Sequence, residues 1–341
     1  MADNTKIEWA DATVNAVNGC SVVSPGCTNC YAMRLAGTRM KHHPTRAGLT
    51  IDTKAGPVWN GDVRLNEAAL LQPLAWKRPR HIFWNAHGDL FHEKVPDEWI
   101  DRVFAVCALT PHHKHMILTK RSARMRGFLS APMLRKQMRG DFIRQIAMDN
   151  GLGPHIPAAM WAEQPLPNVW LGVSVEDQQR ADERIPDLLA TPAAVRFLSC
   201  EPLLSSVDLT SIQLPGFPPL SAFDATNWTG GGIDWVIAGG ESGPGARPMH
   251  PDWVRSLRDQ CKDAGVAFHF KQWGEWAPSP SDFAGITFCE GTGPACVAWP
   301  DGTVRYGNAE EHGGPGRMLR RTGKRVAGRL LDGVQHDGVP A

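Results

Sequence analysis

Seven short apolar runs recur along the chain, each closing on a polar cluster, and longer segments with helical spacing follow several of them. The runs are Ala12–Asn18, His81–Ala86, Lys114–Thr119, Val169–Val175, Val195–Cys200, Asp234–Ala238 and Val266–Lys271. Helical spacing covers Pro96–Leu109, Gln178–Ala190 and Pro251–Ala264. The last carries Pro251 and Asp252 in its first turn and Gly265 just past its end, the residues that start and stop a helix. Repeated β/α units predict an α/β fold built on a partial parallel (β/α)6-type barrel, with a seventh run available as an extra strand.

The runs end in an unusually polar way: Asn18-Gly19-Cys20, Gly88-Asp89, Thr119-Lys120-Arg121, Ser174-Val175-Glu176, Ser199-Cys200-Glu201, Gly239-Gly240-Glu241-Ser242-Gly243 and Lys271-Gln272-Trp273. A single such end reads as a turn or helix cap. Together, at the C-terminal ends of barrel strands, they read as the lining of a shared pocket. Residues 127–167 and 214–232 interrupt the rhythm and are expected as insertions, whereas the Pro- and Gly-rich 277–341 is expected as a small appendage to a barrel of residues 1–276.

The chain has 341 residues, 42% of them hydrophobic and 21% charged, enough to bury a large core. No stretch approaches the roughly 18 apolar residues of a membrane span, and the first residues hold no apolar signal core. The expectation is a cytoplasmic protein with no membrane partner. A formal net charge of +1 carries no global signature of a nucleic-acid binder.

Eight cysteines in such a chain point to metal or catalysis before disulfides. Cys20, Cys27 and Cys30 fall within one Gly- and Pro-containing segment. Thiolates bind soft metals and iron–sulfur clusters. A four-iron cluster held by three cysteines leaves one iron open to a substrate or cofactor. The other reading is a structural Cys3His zinc site completed by His42 or His43, in a nucleic-acid-binding protein without turnover. Cys107, Cys200 and Cys261 lie in apolar periodic runs and read as core thiols, and Cys289 and Cys296 as a buried or hairpin pair.

Several segments carry a resemblance. Lys6 to Thr13, Gly19 to Ala32, Ile117 to Arg121, Asn168 to Glu176, Arg196 to Leu204 and Trp235 to Gly243 resemble a phage and prophage family with a three-cysteine motif, related to the radical SAM superfamily. The resemblance implies a partial (β/α)6 radical SAM barrel with a 4Fe-4S cluster on Cys20, Cys27 and Cys30. It also implies S-adenosylmethionine on the open iron, and reductive cleavage to a 5′-deoxyadenosyl radical that abstracts hydrogen from substrate. An external electron donor follows from that chemistry.

The pattern departs from the superfamily in two places. Six residues separate Cys20 from Cys27 instead of three, and Asn29 stands where an aromatic usually precedes the third cysteine, with Tyr31 just after it. The superfamily's Gly-Gly-Glu ends the second strand and holds the methionine amino group. Gly88-Asp89 occupies that place here, and Gly239-Gly240-Glu241 comes late. Guided by the resemblance, Asp89 is expected on the amino group, Lys120 on the carboxylate, and Ser174 and Glu176 on the ribose hydroxyls. Glu201 and Glu241 are expected as pocket carboxylates with a catalytic role. Arg247, Lys271, Gln272 and Trp273 are expected to meet a substrate phosphate or flat base.

Charge is also segregated. Lys120 to Arg139 holds seven basic residues and no acid, and Arg317 to Arg329 holds six, Arg317, Arg320, Arg321, Lys324, Arg325 and Arg329, again with no acid. Acid-free basic stretches suit phosphates, so a nucleic acid or nucleotide is one candidate for a substrate the sequence does not identify; a solvated helix face is the other reading.

Overall fold

The computed structural model describes residue 5 and residues 7–130, 133–152, 165–278, 295–306 and 315–340. Cys289 lies outside them, as do 153–164 of the expected first insertion and parts of the expected appendage.

All seven apolar runs form strands: β1 Ala12–Val14, β2 His81–Trp84, β3 Lys114–Thr119, β4 Val169–Ser174, β5 Val195–Cys200, β6 Trp235–Gly239 and β7 Ala267–Gln272. They belong to one sheet whose strand order is their order in the chain. Pairing is parallel from β1 through β4 and between β6 and β7, with Val14 opposite Trp84, Trp84 opposite Ile117, Thr119 opposite Val173, and Ala238 opposite Phe270. A parallel sheet in chain order is the topology of a partial (β/α) barrel. Strands covered on both faces need no polar alternation. Accordingly every residue of β4 and β6 is buried.

The first run is shorter as a strand than its sequence suggests. After Val14 the chain leaves the sheet, and Val17–Asn18 pairs with Arg64–Leu65 instead. The amide of Val17 donates to Asn85 Oδ1 (2.8 Å), so its backbone is satisfied without the ladder.

Helices Asp97–Leu109, Gln178–Leu189 and Pro251–Ala264 lie where the spacing predicts them. His250 caps the last one by accepting from the Asp252 amide (3.1 Å), and Gly265 closes it in the left-handed region (φ 68°). Residues expected as an insertion after 127 instead continue a helix, Ser122–Leu129, and form another, Met133–Asp149, in the connection between β3 and β4. In the β5–β6 connection, Ile212–Leu214 and Phe217–Leu220 pair as a short antiparallel ribbon.

The chain divides into two compact units. The first comprises Met1–Val173, Asp187–Phe197 and Trp228–Gly230, and the second Ser174–Pro186, Leu198–Asn227 and Gly231–Ala341. In the first, Gly172 of β4 is small of necessity, because a Cβ there would lie 2.5 Å from the Phe197 ring. In the second, the C-terminal region forms an antiparallel sheet ordered Trp276–Pro278, Arg317–Arg321, Ala295–Ala298, Val304–Tyr306. Cys296 is buried there with Ala246, Trp276, Ala298 and Leu319. No helix among the described residues is long and apolar enough to cross a membrane.

A buried polar chain makes the first unit acid-sensitive. His115 is fully buried; its Nδ1 accepts from Trp84 Nε1 (3.0 Å), so its Nε2–H is left to donate to Thr110 Oγ1 (3.0 Å), which donates to the Val106 carbonyl (2.7 Å). This neutral tautomer has no place for a second ring proton. Burial, reinforced by His113, pushes the His115 pKa from 6.5 down to about 3. The unfolded chain therefore takes up a proton below pH 6.5 that the folded chain refuses, and stability falls as pH drops from 6.5 toward 3. His115 alone is expected to cost about 2 kcal/mol by pH 5, at about 1.4 kcal/mol per pH unit. Urea midpoints between pH 7.5 and 5 measure the slope, and His115→Gln should flatten it; an equally steep slope in that variant would assign the sensitivity elsewhere.

Candidate metal and cofactor centre

Directly after β1 and its short extension, the chain enters the cysteine loop. Gly19 forms a parallel bridge with Gly88, just after β2, and its amide donates to the His87 carbonyl (3.1 Å). Both positions need glycine. Gly19 has φ 94° and a Cβ would stand 2.1 Å from the Asp62 carbonyl oxygen; at Gly88 a Cβ would meet the Val17 carbonyl oxygen at 2.6 Å. The close backbone approach sets Cys20 beside Asp89.

Cys27 closes the 3-10 turn Pro25–Cys27, and Cys30 immediately precedes helix Tyr31–Gly37. Cys20 and Cys30 pack on one apolar floor of Ala32, Met33, Ala36, Leu49 and Trp59. Burial pushes the Cys20 thiol up to about 12, and the neighbouring Asp89, Cys27 and Cys30 charges act on it too. Cys30 is raised likewise, mainly by burial, while the Met33 and Ala32 amides and the Lys120 charge oppose the rise. The three sulfurs thus stand within electrostatic reach of one another.

Arg121, at the end of β3, ties this loop down. Its side chain is only 5% exposed. Nε donates to both Glu93 oxygens (3.1 Å each), Nη1 to Asp89 Oδ2 (3.0 Å) and to Cys20 Sγ (3.5 Å), and Nη2 to the Ser21 hydroxyl (2.8 Å) and carbonyl (3.3 Å). His92, also buried, meets the same Ser21 hydroxyl (3.0 Å). Burial, then Arg121, lowers the His92 pKa, so the ring adds no charge near neutral pH. At this strand end the residue that turns inward onto the cysteine loop is Arg121, beside the expected Lys120. The signal was only the Thr119-Lys120-Arg121 cluster itself, since spacing cannot say which of two adjacent bases turns inward.

The expected cofactor contacts fare unequally. The Asp89 carboxylate accepts from the Phe91 amide (3.0 Å), Thr119 hydroxyl (2.7 Å), Lys120 amide (3.1 Å) and Arg121. Four donors fill the acceptor positions of a carboxylate. Asp89 therefore anchors the ends of β2 and β3, and an ammonium could reach it only by displacing one of these donors. Gly88 serves backbone approach. Lys120, half-buried, makes no ion pair with a carboxylate among the described residues. Asn29 Oδ1 accepts from Arg34 (3.0 Å), and the Tyr31 hydroxyl donates to the Ala86 carbonyl (2.8 Å) with its ring edge-on to His87.

Soft sulfur donors, an apolar floor and an N–H···S bond suit an iron–sulfur cluster. Among the described residues no three His, Cys, Asp or Glu side chains converge closely enough to share one metal ion. A cube bound at three corners needs sulfurs farther apart than ligands of a single ion. The zinc reading lacks its fourth ligand here, because His42 and His43 are exposed and His43 Nδ1 engages Thr45 Oγ1 (2.8 Å).

In the second unit, the expected contact residues pair with one another. Glu176 is fully buried and bound to Arg184 (2.9 Å), which also donates to the Ser174 carbonyl (2.8 Å). A ribose hydroxyl could reach this carboxylate only by opening the Glu176–Arg184 pair. Glu201 holds Lys271 (2.7 Å) and Gln272 (3.0 Å), and Glu241 receives Arg247 through Nε (2.9 Å), Nη2 (2.6 Å) and its backbone amide (2.8 Å). The expected carboxylates and the expected substrate cations thus neutralise each other. Trp273 is buried, edge-on to Phe270, with its Nε1 on the Leu330 carbonyl (2.8 Å). It is a packed side chain and offers no stacking face.

The two basic stretches are acid-free only along the chain. Arg121 pairs with Asp89 and Glu93, Arg124 with Asp97, Arg126 with Asp187, and Arg139 with the fully buried Asp101. In the other run, Arg317 pairs with Asp252, Arg321 with Glu275 and Arg329 with Asp337. These pairs take part of each stretch's charge out of play for a phosphate.

Cys107, Cys200 and Cys261 are buried free thiols, as their apolar context predicts. No curated protein and no solved structure matches the chain. A family model does, over residues 4–340, nearly the whole sequence; its description is "Protein of unknown function (DUF5131)".

Proposed function

The chain belongs to the DUF5131 family, and we propose that it is a radical SAM enzyme whose cluster is held by Cys20, Cys27 and Cys30. One observation carries the reading: the three-cysteine loop follows the first strand of a parallel sheet in chain order and is fastened to the ends of β2 and β3 by the Gly19–Gly88 bridge and by Arg121. A loop meant only to carry exposed thiols needs no buried guanidinium beneath it. The bound cluster and S-adenosylmethionine supply reductive cleavage to a 5′-deoxyadenosyl radical.

This chain's own residues bind and orient. Lys120 is the cation for the cofactor carboxylate, since no acid among the described residues pairs with it and it lies near Cys30. Tyr31 and His87 offer an aromatic edge beside the loop. The apolar floor beneath Cys20 and Cys30 excludes water from one side of the cluster.

Anaerobically reconstituted protein, given S-adenosylmethionine and dithionite, is expected to release 5′-deoxyadenosine and methionine. Lys120→Ala should bind S-adenosylmethionine at least tenfold more weakly, the loss of about 1.4 kcal/mol from one charge-assisted contact. A colourless protein that takes up zinc alone after reconstitution would overturn the proposal.

A further inference from the structure

We infer that Arg121 is a positioning residue that raises the reduction potential of the cluster through its N–H···S bond to Cys20, with Glu93 as its moderating counter-charge. The inference rests on the cluster reading above.

Arg121 has no freedom to serve solvent. Its backbone amide donates to Thr119 Oγ1 (2.9 Å), and that hydroxyl donates to Asp89 Oδ1 (2.7 Å), so the strand end, the carboxylate and the guanidinium form one closed web. Nη1 bridges Asp89 and Cys20, while Nη2 grips both Ser21 oxygens next in the chain. A fork fixed on both sides of a ligand cysteine sets where that sulfur points. It also places a permanent cation and a hydrogen-bond donor against the sulfur in a buried setting.

Reduction of the cluster adds one electron from an external one-electron donor and makes or breaks no bond. The added negative charge spreads over the cluster and its sulfur ligands. A donor and a cation beside one ligand stabilise the reduced form more than the oxidised form, and so raise the potential. Asp89 is saturated and deep, whereas Glu93 is 63% exposed and faces Nε, away from the Nη1 that meets Cys20. Removing the Glu93 charge leaves the guanidinium more positive without breaking the N–H···S bond. The two substitutions should therefore move the potential in opposite directions, which a purely structural role would not do.

The test is a potentiometric titration, followed by electron paramagnetic resonance, of anaerobically reconstituted wild type, Arg121→Gln and Glu93→Gln, with dithionite and redox dyes. Arg121→Gln is expected to make the reduced form at least tenfold less favoured, a fall of ~59 mV for one electron. Glu93→Gln is expected to shift the midpoint upward by a smaller amount. Coincident midpoints in a set of proteins that all carry a cluster overturn this inference alone. A wild type that assembles no cluster overturns the cluster reading and this inference with it. Should Arg121→Gln not fold or not retain iron, the exposed Glu93→Gln decides: a rise supports the inference, and an unchanged or lowered midpoint overturns it.

Discussion

Cys27→Ala is expected to reduce the iron content of anaerobically reconstituted protein from about four per chain to near zero, and to abolish its brown colour, while leaving the fold intact. Both halves follow from where Cys27 sits. It lies on a short 3-10 turn and is only half-buried, outside the apolar floor on which Cys20 and Cys30 pack. Removing its sulfur therefore opens no core cavity. A cluster with one of its three protein ligands gone keeps two, too few to hold it against chelation. Cys107→Ala is the control. That thiol is fully buried in helix Asp97–Leu109, so the variant should keep its iron and lose stability instead. Iron analysis and visible absorbance read the first effect; thermal unfolding reads the second. Full iron retention in Cys27→Ala would remove that residue from the ligand set and with it the three-cysteine site.

Arg184→Ala is expected to destabilise the protein by about 3–5 kcal/mol, the range for stripping one partner from a buried ion pair. Glu176 is fully buried, and Arg184 meets it at 2.9 Å and also donates to the Ser174 carbonyl. Without the guanidinium, the carboxylate stays in a low-dielectric setting and loses the charge that Arg184 sets against its desolvation. Glu176→Leu combined with Arg184→Met should recover most of the loss, because replacing both charges removes both desolvation costs. Urea denaturation of the single and double variants measures the difference. A small effect of Arg184→Ala would mean that the Glu176–Arg184 pair contributes little to stability.

The two predictions mark where sequence reasoning reached the site and where it stopped. Cys20, Cys27 and Cys30 stand out in the sequence because cysteine is a rare residue type and these three lie close together in the chain. Asp89 stands at the strand end where the sequence places it, and its carboxylate takes four donors, from Phe91, Thr119, Lys120 and Arg121, brought together by the pairing of β2 with β3. Glu201 with Lys271, and Glu241 with Arg247, were each read as separate groups facing a substrate. In the structure each of these carboxylates meets its cation directly. A polar strand end announces that something must be satisfied there, not what satisfies it.

Strand positions were fixed locally. An apolar run of five or six residues that ends in a turn has few alternatives to a buried strand, and a helix with Pro251 at its start and Gly265 past its end carries its own boundaries. The seven strands, three of the helices and the cysteine loop therefore came from the amino-acid sequence by itself. Which charges meet was decided by tertiary structure alone. Ion pairing depends on distances of a few ångströms between residues dozens of positions apart, as with Arg121 and Asp89, or Arg139 and Asp101. The basic stretches that seemed to await a phosphate are partly neutralised in this way. Arg121, one of several arginines along the chain, becomes the residue that grips Cys20 only once β3 lies beside β2.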